Sequence, residues 1–444
     1  MRHRPLSVAS AGRRFVALTA MRWLPVGIAA PVVVLLASSR GLSPSEIGVV
    51  FVAHSTVALL LELPTGGLAD ALGRRPVLVL SSLLHVAGFL TLAVASDLLV
   101  FGAAFALVGA ARALDSGPLE SWYVDAVGVA SPAADVTPGL SRAAAASGAG
   151  LAFGCVVGGA APAVLTTFEG EAVMAAPFLV AAVLQALYLV AIVVLVVPVG
   201  PHSSGAPVAA MRNALREVPA IVRDTARLAG RDPVLRRLVA LSFLAGVVLS
   251  TLELVGPLHF ARLTGSTTEG SAVFGVVMAA AFTCSALGAS LATRARRVAR
   301  GSTAWASAAL FCACAVAVSA VAASTLVVAA GLGYAAFYLV NAVGWPLRQQ
   351  LMHSRVESGR RATTVSASSF ALMAGGIGGS LLMPALAEAT SLTAAFWACL
   401  VPLVASAWLS LGLGRGGAPA GAPAGAPAGS PHDANDRPAE LAAD

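Results

Sequence analysis

Lysine is absent from all 444 residues, and charge of either sign is scarce, 11% against 58% hydrophobic. A soluble core has no room for that much apolar surface, so the composition excludes an ordinary globular protein. It fits a polytopic helical membrane protein. Short alternating segments are also missing, which excludes a membrane β-barrel. Cys155, Cys284, Cys312, Cys314 and Cys399 all lie in apolar runs. An odd number of such thiols reads as small apolar packing rather than disulfides or a metal site. No two of the seven histidines stand at metal-binding spacing, so no zinc motif exists and no cofactor is expected. Arg2, Arg4, Arg13 and Arg14 precede the first apolar run without a short h-region and cleavage site, so the first helix is expected to be retained.

What charge there is follows a pattern. The net charge of +7 comes from arginine alone, and a nucleic-acid partner is not expected, because the arginines cluster at the ends of apolar runs. Arg74 and Arg75, the group from Arg212 to Arg237, Arg294 to Arg300, and Arg355 to Arg361 fall in alternate loops. The intervening loops hold little beyond Arg40 and Arg262, with Asp97, Glu169, Glu171 and Glu269. By the positive-inside rule this alternation places both termini in the cytoplasm of a cell bounded by a plasma (inner) membrane.

Twelve apolar segments can be counted, each about as long as a helix needs to cross a bilayer. They are expected near 15–37 (kinked at Pro25 and Pro31), 49–68, 77–94, 98–122, 140–165, 175–197, 238–258, 272–291, 305–322, 326–351, 364–386 and 394–413. Ser45 and Glu46 suggest the start of the second helix, and Pro76 that of the third. The domain plan is a tail (1–14), a six-helix half (15–198), a linker (199–236), a second six-helix half (237–413) and a disordered Gly-Ala-Pro tail (414–444). In the linker, Met211, Leu215, Val218, Ile221, Val222 and Leu228 recur at helical spacing against Arg212, Arg216, Arg223 and Arg227. That pattern fits an amphipathic helix on the inner face of the lipid bilayer.

The stretch Gly66-Gly67-Leu68-Ala69-Asp70-Ala71-Leu72-Gly73-Arg74-Arg75 lies between the second and third segments. It resembles the signature loop of the major facilitator superfamily, G-x-L-a-D-r-x-G-r-r, which occupies the same place; Ala71 replaces the usual first basic residue. Gly288 to Arg297 is a decayed copy: Gly66 corresponds to Gly288 and Arg74-Arg75 to Arg296-Arg297, while Asp70 corresponds to Ala292. The resemblance covers about residues 15–413. It implies an all-α fold of twelve membrane helices in two pseudo-symmetric six-helix halves, with the site between them. It also implies that Asp70 meets the start of helix eleven near Thr363 and Thr364, and that Arg74 pairs with Asp125 when the cytoplasmic side is closed.

Two further matches concern transport. Gly150, Gly154, Gly158 and Gly159 in the fifth segment are similar to the family's antiporter motif, with Cys155 where a proline is usual. Glycines four apart also leave a groove for a close helix neighbour, so generic packing is an equal reading. In the fourth segment, Arg112 resembles the family's arginine motif, Asp115 stands where a glutamine is usual, and the motif's glycine comes late, at Gly117. An unpaired charge in a bilayer is costly, so Arg112 should face a cavity or a partner. Asp115, three positions on, is expected beside it.

The acids admit several roles. Asp115 is one candidate for the proton-coupling group; a fixed Arg112–Asp115 pair with Glu62 or Glu253 carrying the proton is the other reading. Glu62, Glu120 and Asp125 read as gate residues or as hydrated helix ends. Arg22, inside the first segment, is a candidate contact for a substrate anion. His54, His85 and His259 are expected to be neutral, packed or interfacial, rather than proton carriers. Cavity walls are expected to draw on Phe178, Tyr188, Phe243, Tyr334, Tyr338 and Trp345. The resemblance implies a monomeric secondary transporter exchanging protons for small amphiphilic or drug-like molecules. A metabolite importer or uniporter is the near alternative. A membrane enzyme would require clustered Asp or His ligands, or a Ser/His pair, and the sequence has neither arrangement; a non-transporting receptor on the same fold is the remaining rival.

Overall fold

A computed structural model describes residues 6–165, 172–198, 223, 230, 232–355 and 361–414, with the backbone alone at 63–67, 70, 71 and 361–366. Most of the linker, including the expected amphipathic helix, the C-terminal tail from 415 and residues 1–5 lie outside the described residues. Among the described residues there is no strand, and twelve helices or helix pairs are long and apolar enough to cross a membrane.

The first span is α1 (Val8–Ala29) and α2 (Val33–Ser39), with Pro25 inside α1 and Pro31 in the break between them. It begins earlier than the apolar run suggests, because the Ser7 side chain caps it by accepting the Ser10 N–H. Next come α3 (Pro44–Leu72) and α4 (Arg74–Val94). The cap of α3 is Ser43 rather than Ser45. Its hydroxyl accepts the Glu46 N–H at 3.3 Å while Glu46 Oε2 accepts the Ser43 N–H at 2.8 Å, a reciprocal capping box. The stretch expected to form a loop is helical through Leu72. Only Gly73, at φ 86°, leaves the helix. Ala69, Ala71 and Leu72 are strong helix formers, so the turn contracts to the one residue that adopts positive φ without strain. Pro76 is therefore the third residue of α4 instead of its first.

The fourth span is also corrected. It divides into α5 (Leu98–Asp115) and α6 (Pro118–Ala130), because Ser116 is extended and Gly117 takes φ 110°. Then follow α7 (Thr137–Val164), α8 (Ala172–Leu195), α9 (Pro233–Thr264), α10 (Thr267–Ser290) and a short α11 (Ala292–Val298) carrying Arg296 and Arg297. The last spans are α12 (Thr303–Ala323), α13 (Val327–Ser354), α14 (Arg361–Ala389) and the pair α15 (Leu392–Ala398) and α16 (Leu400–Leu411).

Packing repeats between the first six spans and the last six. Helix α1 lies along α7 as α9 lies along α14, and α3 packs on α5 as α10 packs on α13. Across the two sets, α7 meets α10 and α14 meets α3, so each half offers its fifth span to the second span of the other. In lipid no hydrophobic force drives helices together, and close packing of small residues takes its place. A Cβ on Gly154 would come within 2.9 Å of Gly27 Cα in α1, and one on Gly379 of α14 within 2.8 Å of Val247 Cα in α9.

The end of α8 is held by side chains from the same half. Arg14 donates to the Leu195 carbonyl at 2.9 Å, Trp122 Nε1 to that of Val197 at 2.9 Å, and Arg75 to that of Val193. Arg237 does the same for Gly412 at 2.6 Å beyond α16. Cations at these ends satisfy carbonyls without an intrahelical partner and oppose the negative pole of the helix.

Candidate functional site

The cavity that both halves share has a volume of about 400 Å³. Its wall can be read from helical spacing. Helix α3 contributes Phe51, His54, Ser55 and Ala58; α5 contributes Phe105, Val108 and Arg112; α9 contributes Gly246, Leu249, Ser250 and Glu253. The α3 and α9 sets follow i, i+3, i+4, i+7 and the α5 set i, i+3, i+7, one stripe of each helix. Leu372, Met373, Gly376 and Ser380 of α14 close the far side. Arg112 and Glu253 are exposed to this space, and neither forms an ion pair among the described residues.

A side chamber of about 140 Å³ opens beside it, sharing Val26, His54, Val108 and Arg112 with the main cavity. Arg22, Trp23, His85, Asp115 and Gln185 complete it. Here the structure corrects the expected Arg112–Asp115 pair: the carboxylate of buried Asp115 bonds instead to Nε of Arg22 in α1. Asp115 is the last residue of α5, where the chain turns away at Ser116, and a guanidinium on a neighbouring helix offers it a charged hydrogen bond off the lipid. Arg22 is thus a counter-ion to an acid, and its guanidinium also lies 5.2 Å from the centre of the Trp23 ring. Asp115 Oδ1, His54 Nδ1 and His85 Nδ1 are buried without a hydrogen-bond partner. Gln185 is held by Ser82, which receives its amide N–H at 3.0 Å.

Other candidates scatter. Glu120 lines a separate space of about 240 Å³ that Arg22 also lines. Glu62 is exposed on α3. Arg74 Nη2 lies 2.9 Å from Asp125 Oδ2, the partner the resemblance implied. The pair joins α4 to α6 within one half. Gly66 and Asp70 lie on α3, and the side chain of Asp70 lies outside the described residues. The fifth-span glycines separate by face: Gly150, Gly154 and Gly158 admit α1, whereas a Cβ on Gly159 would come within 2.8 Å of Gly275 Cα in α10. Ser271 Oγ donates to the Gly159 carbonyl at 2.9 Å. With Ser45 N–H donating to Glu388 at 3.0 Å, these approaches join the halves at the end away from Gly73.

The expected aromatic wall is the main error of sequence reasoning. Phe178, Tyr188 and Tyr334 are buried in the cores of the halves, and Tyr334 stacks on Tyr338 at 5.3 Å. Phe51, Phe89 and Phe105 line the cavity instead. The helical stripe through Phe51, His54, Ser55 and Ala58 was a signal for the first of them, and the spacing of Phe105, Val108 and Arg112 for the third. His259 is packed, its ring 5.2 Å from that of Phe396, and Arg262 bonds to Thr393 at 2.7 Å. Sequence reasoning also passed over Arg348 of α13, whose guanidinium sits 4.8 Å from the centre of the Phe311 ring. Among the described residues no three His, Cys, Asp or Glu side chains gather as a metal site.

No curated protein matches this sequence. Among solved structures, the chain is similar to a point mutant of the nucleoside transporter NupG, with TM-score 0.71 and 11% identity over 91% of this chain and 99% of that one. It is also similar to a bacterial homolog of the human lysosomal transporter Spinster, inward-facing and unoccupied, with TM-score 0.71 and 15% identity over 92% and 97%. A D-xylose–proton symporter gives TM-score 0.64 and 14% identity over 91% and 97%. At these identities the likeness is one of fold. Residues 15–342 match the family model of the Major Facilitator Superfamily. With that match and twelve spans packed on one plan used twice, the chain belongs to the major facilitator superfamily.

Proposed function

We propose that this protein is a secondary active transporter that moves small amphiphilic or drug-like molecules out of the cell by alternating access, in exchange for protons. The observation that carries this reading is the 400 Å³ cavity lined by both halves, largely apolar, with an unpaired acid and an unpaired arginine on its wall. A space of that size suits a drug-sized ligand. Rocking of the halves about the α7–α10 and α3–α14 contacts would expose it to each side in turn. Of the candidate acids, Glu253 fits proton coupling best: it reaches the cavity, while Asp115 is held by Arg22. A carboxylate open to the cavity binds either a proton or a cationic substrate, and that competition is the elementary step of exchange.

The alternate-loop arginines support a plasma membrane with both termini cytoplasmic. The two arginines on the other side are both tied to protein. Arg40 donates to the Leu92 and Ala93 carbonyls, at 3.1 and 2.7 Å, and Arg262 bonds to Thr393. Asp70, Gly73, Arg74, Arg75 and Asp125 are proposed to set the gate at the arginine-rich end, and the functional unit is proposed to be the monomer in its bilayer. A second reading, uptake or uniport of a metabolite, is favoured by Cys155, which replaces the proline of the antiporter motif.

Counterflow in proteoliposomes tests the class. Preloaded unlabelled substrate should draw labelled substrate inward without any gradient. An imposed pH gradient should then drive uphill movement for exchange with protons but not for uniport. Absence of counterflow across a broad panel of amphiphiles would overturn transport itself.

A further inference from the structure

Two charges of opposite sign, not joined in a direct ion pair, face one cavity from different halves: Arg112 on α5 and Glu253 on α9. The two attract each other across the cavity but form no direct ion pair, and an incompletely matched charge inside a membrane protein is costly, so a ligand that bridges the gap would give each the direct partner it lacks. The surroundings of the two differ. Behind Arg112 is the polar side chamber, where the charges of Arg22 and Asp115 already cancel and Arg112 leaves a net positive balance. Buried, unpartnered nitrogens of His54 and His85 line the same chamber and can donate hydrogen bonds in the appropriate tautomer. Such a chamber favours an acidic head group over an amine. Glu253 stands among Leu249, Ser250 and Gly246, with no cation of its own half on the cavity wall.

We infer that the substrate is amphoteric: an acidic group docks at Arg112 in the mouth of the side chamber, an amine docks at Glu253, and an apolar body lies between them against Phe51, Phe105 and Leu249. The inference rests on the transporter reading above and narrows its substrate class. A zwitterion neutralises both wall charges at once and delivers no net charge to the membrane interior. A simple cation or anion leaves one wall charge unmatched, and a charge-assisted hydrogen bond is worth about tenfold or more in affinity.

The experiment uses the purified full-length protein in detergent and three probes with one apolar body: phenylalanyl-phenylalanine, its methyl ester (a cation) and its N-acetyl derivative (an anion). Binding is read by calorimetry. The zwitterion should bind about tenfold or more tighter than either blocked form. Arg112→Gln should erase its advantage over the ester alone, and Glu253→Gln its advantage over the N-acetyl form alone. Arg112→Lys and Glu253→Asp, which keep the charges, should retain most of the preference. Unliganded melting temperatures show that each variant folds. Equal binding of a blocked form, preferences unmoved by the Gln variants, or no binding of the zwitterion at millimolar concentration overturns the inference. Counterflow of the ester without zwitterion preference would sink the amphoteric assignment and leave the transporter reading standing. Zwitterion preference without counterflow would do the reverse.

Discussion

Asp115 and Glu253 carry the same functional group and are placed for different work. The first is buried against Arg22; the second opens to the cavity. Removing one member of a buried pair strands the other, at a cost of roughly 3 kcal/mol, whereas removing both is nearly neutral. Asp115→Ala should therefore lower the melting temperature by several degrees, and Arg22→Leu with Asp115→Leu should recover most of the loss. If the double variant melts no higher than Asp115→Ala, the pair is not what holds α1 to the end of α5. The functional assignments separate in transport. Glu253→Gln should abolish uphill movement on a pH gradient while counterflow persists once substrate is raised to offset its weaker binding, whereas Asp115→Asn should reduce both through stability. Uphill transport surviving in Glu253→Gln and failing in Asp115→Asn would return the proton to Asp115. At this scale the sequence named all the charged residues of the site. It could not show which would pair, because Arg22 and Arg112 stand on different helices and only packing chose between them.

Helix α7 shows how one run of glycines serves two interfaces. Gly154 and Gly158 face α1 in the same half, and Gly159 faces α10 across the halves. A side chain at the first kind of position overpacks a permanent contact, typically at a cost of about 1–3 kcal/mol. Gly154→Val should thus lower thermal stability without changing which side of the protein is open. Gly159→Val should act on the equilibrium between conformations, because it obstructs the meeting of the halves at the end away from Gly73. Maleimide labelling of a Ser45→Cys reporter should rise in the Gly159→Val background and stay unchanged with Gly154→Val. Equal labelling in both would mean that the two contacts open and close together. The residue spacing was legible as a groove. Its division between partners was not, since adjacent positions on a helix point about 100° apart and the neighbours are supplied by distant segments.

For the whole molecule, the gate proposal turns on Arg74 and Asp125. Both side chains are partly exposed, so their pairing contributes only about 0.2–1 kcal/mol to stability. A large effect of breaking it would come through conformational balance. Charge reversal at either residue should reduce counterflow several-fold, and reversal at both should restore a substantial part. A double variant no better than the singles would leave the pair a surface contact within one half.

The chain's long apolar segments, their number and the alternation of arginine between loops are local properties, and they determined the fold class because lipid leaves the backbone few choices besides a helix. The signature stretch identified the family for the same reason: its letters and its place between two spans are both written in the chain. Tertiary structure decided what depends on neighbours. It turned the presumed loop into helix up to Gly73, moved Tyr188 and Tyr334 from cavity wall to core, and gave Asp115 to Arg22. It also left Arg112 and Glu253 facing one space without a direct ion pair. Helical periodicity says which residues share a face; only the packing of twelve helices says whether that face meets lipid, a neighbour or the cavity.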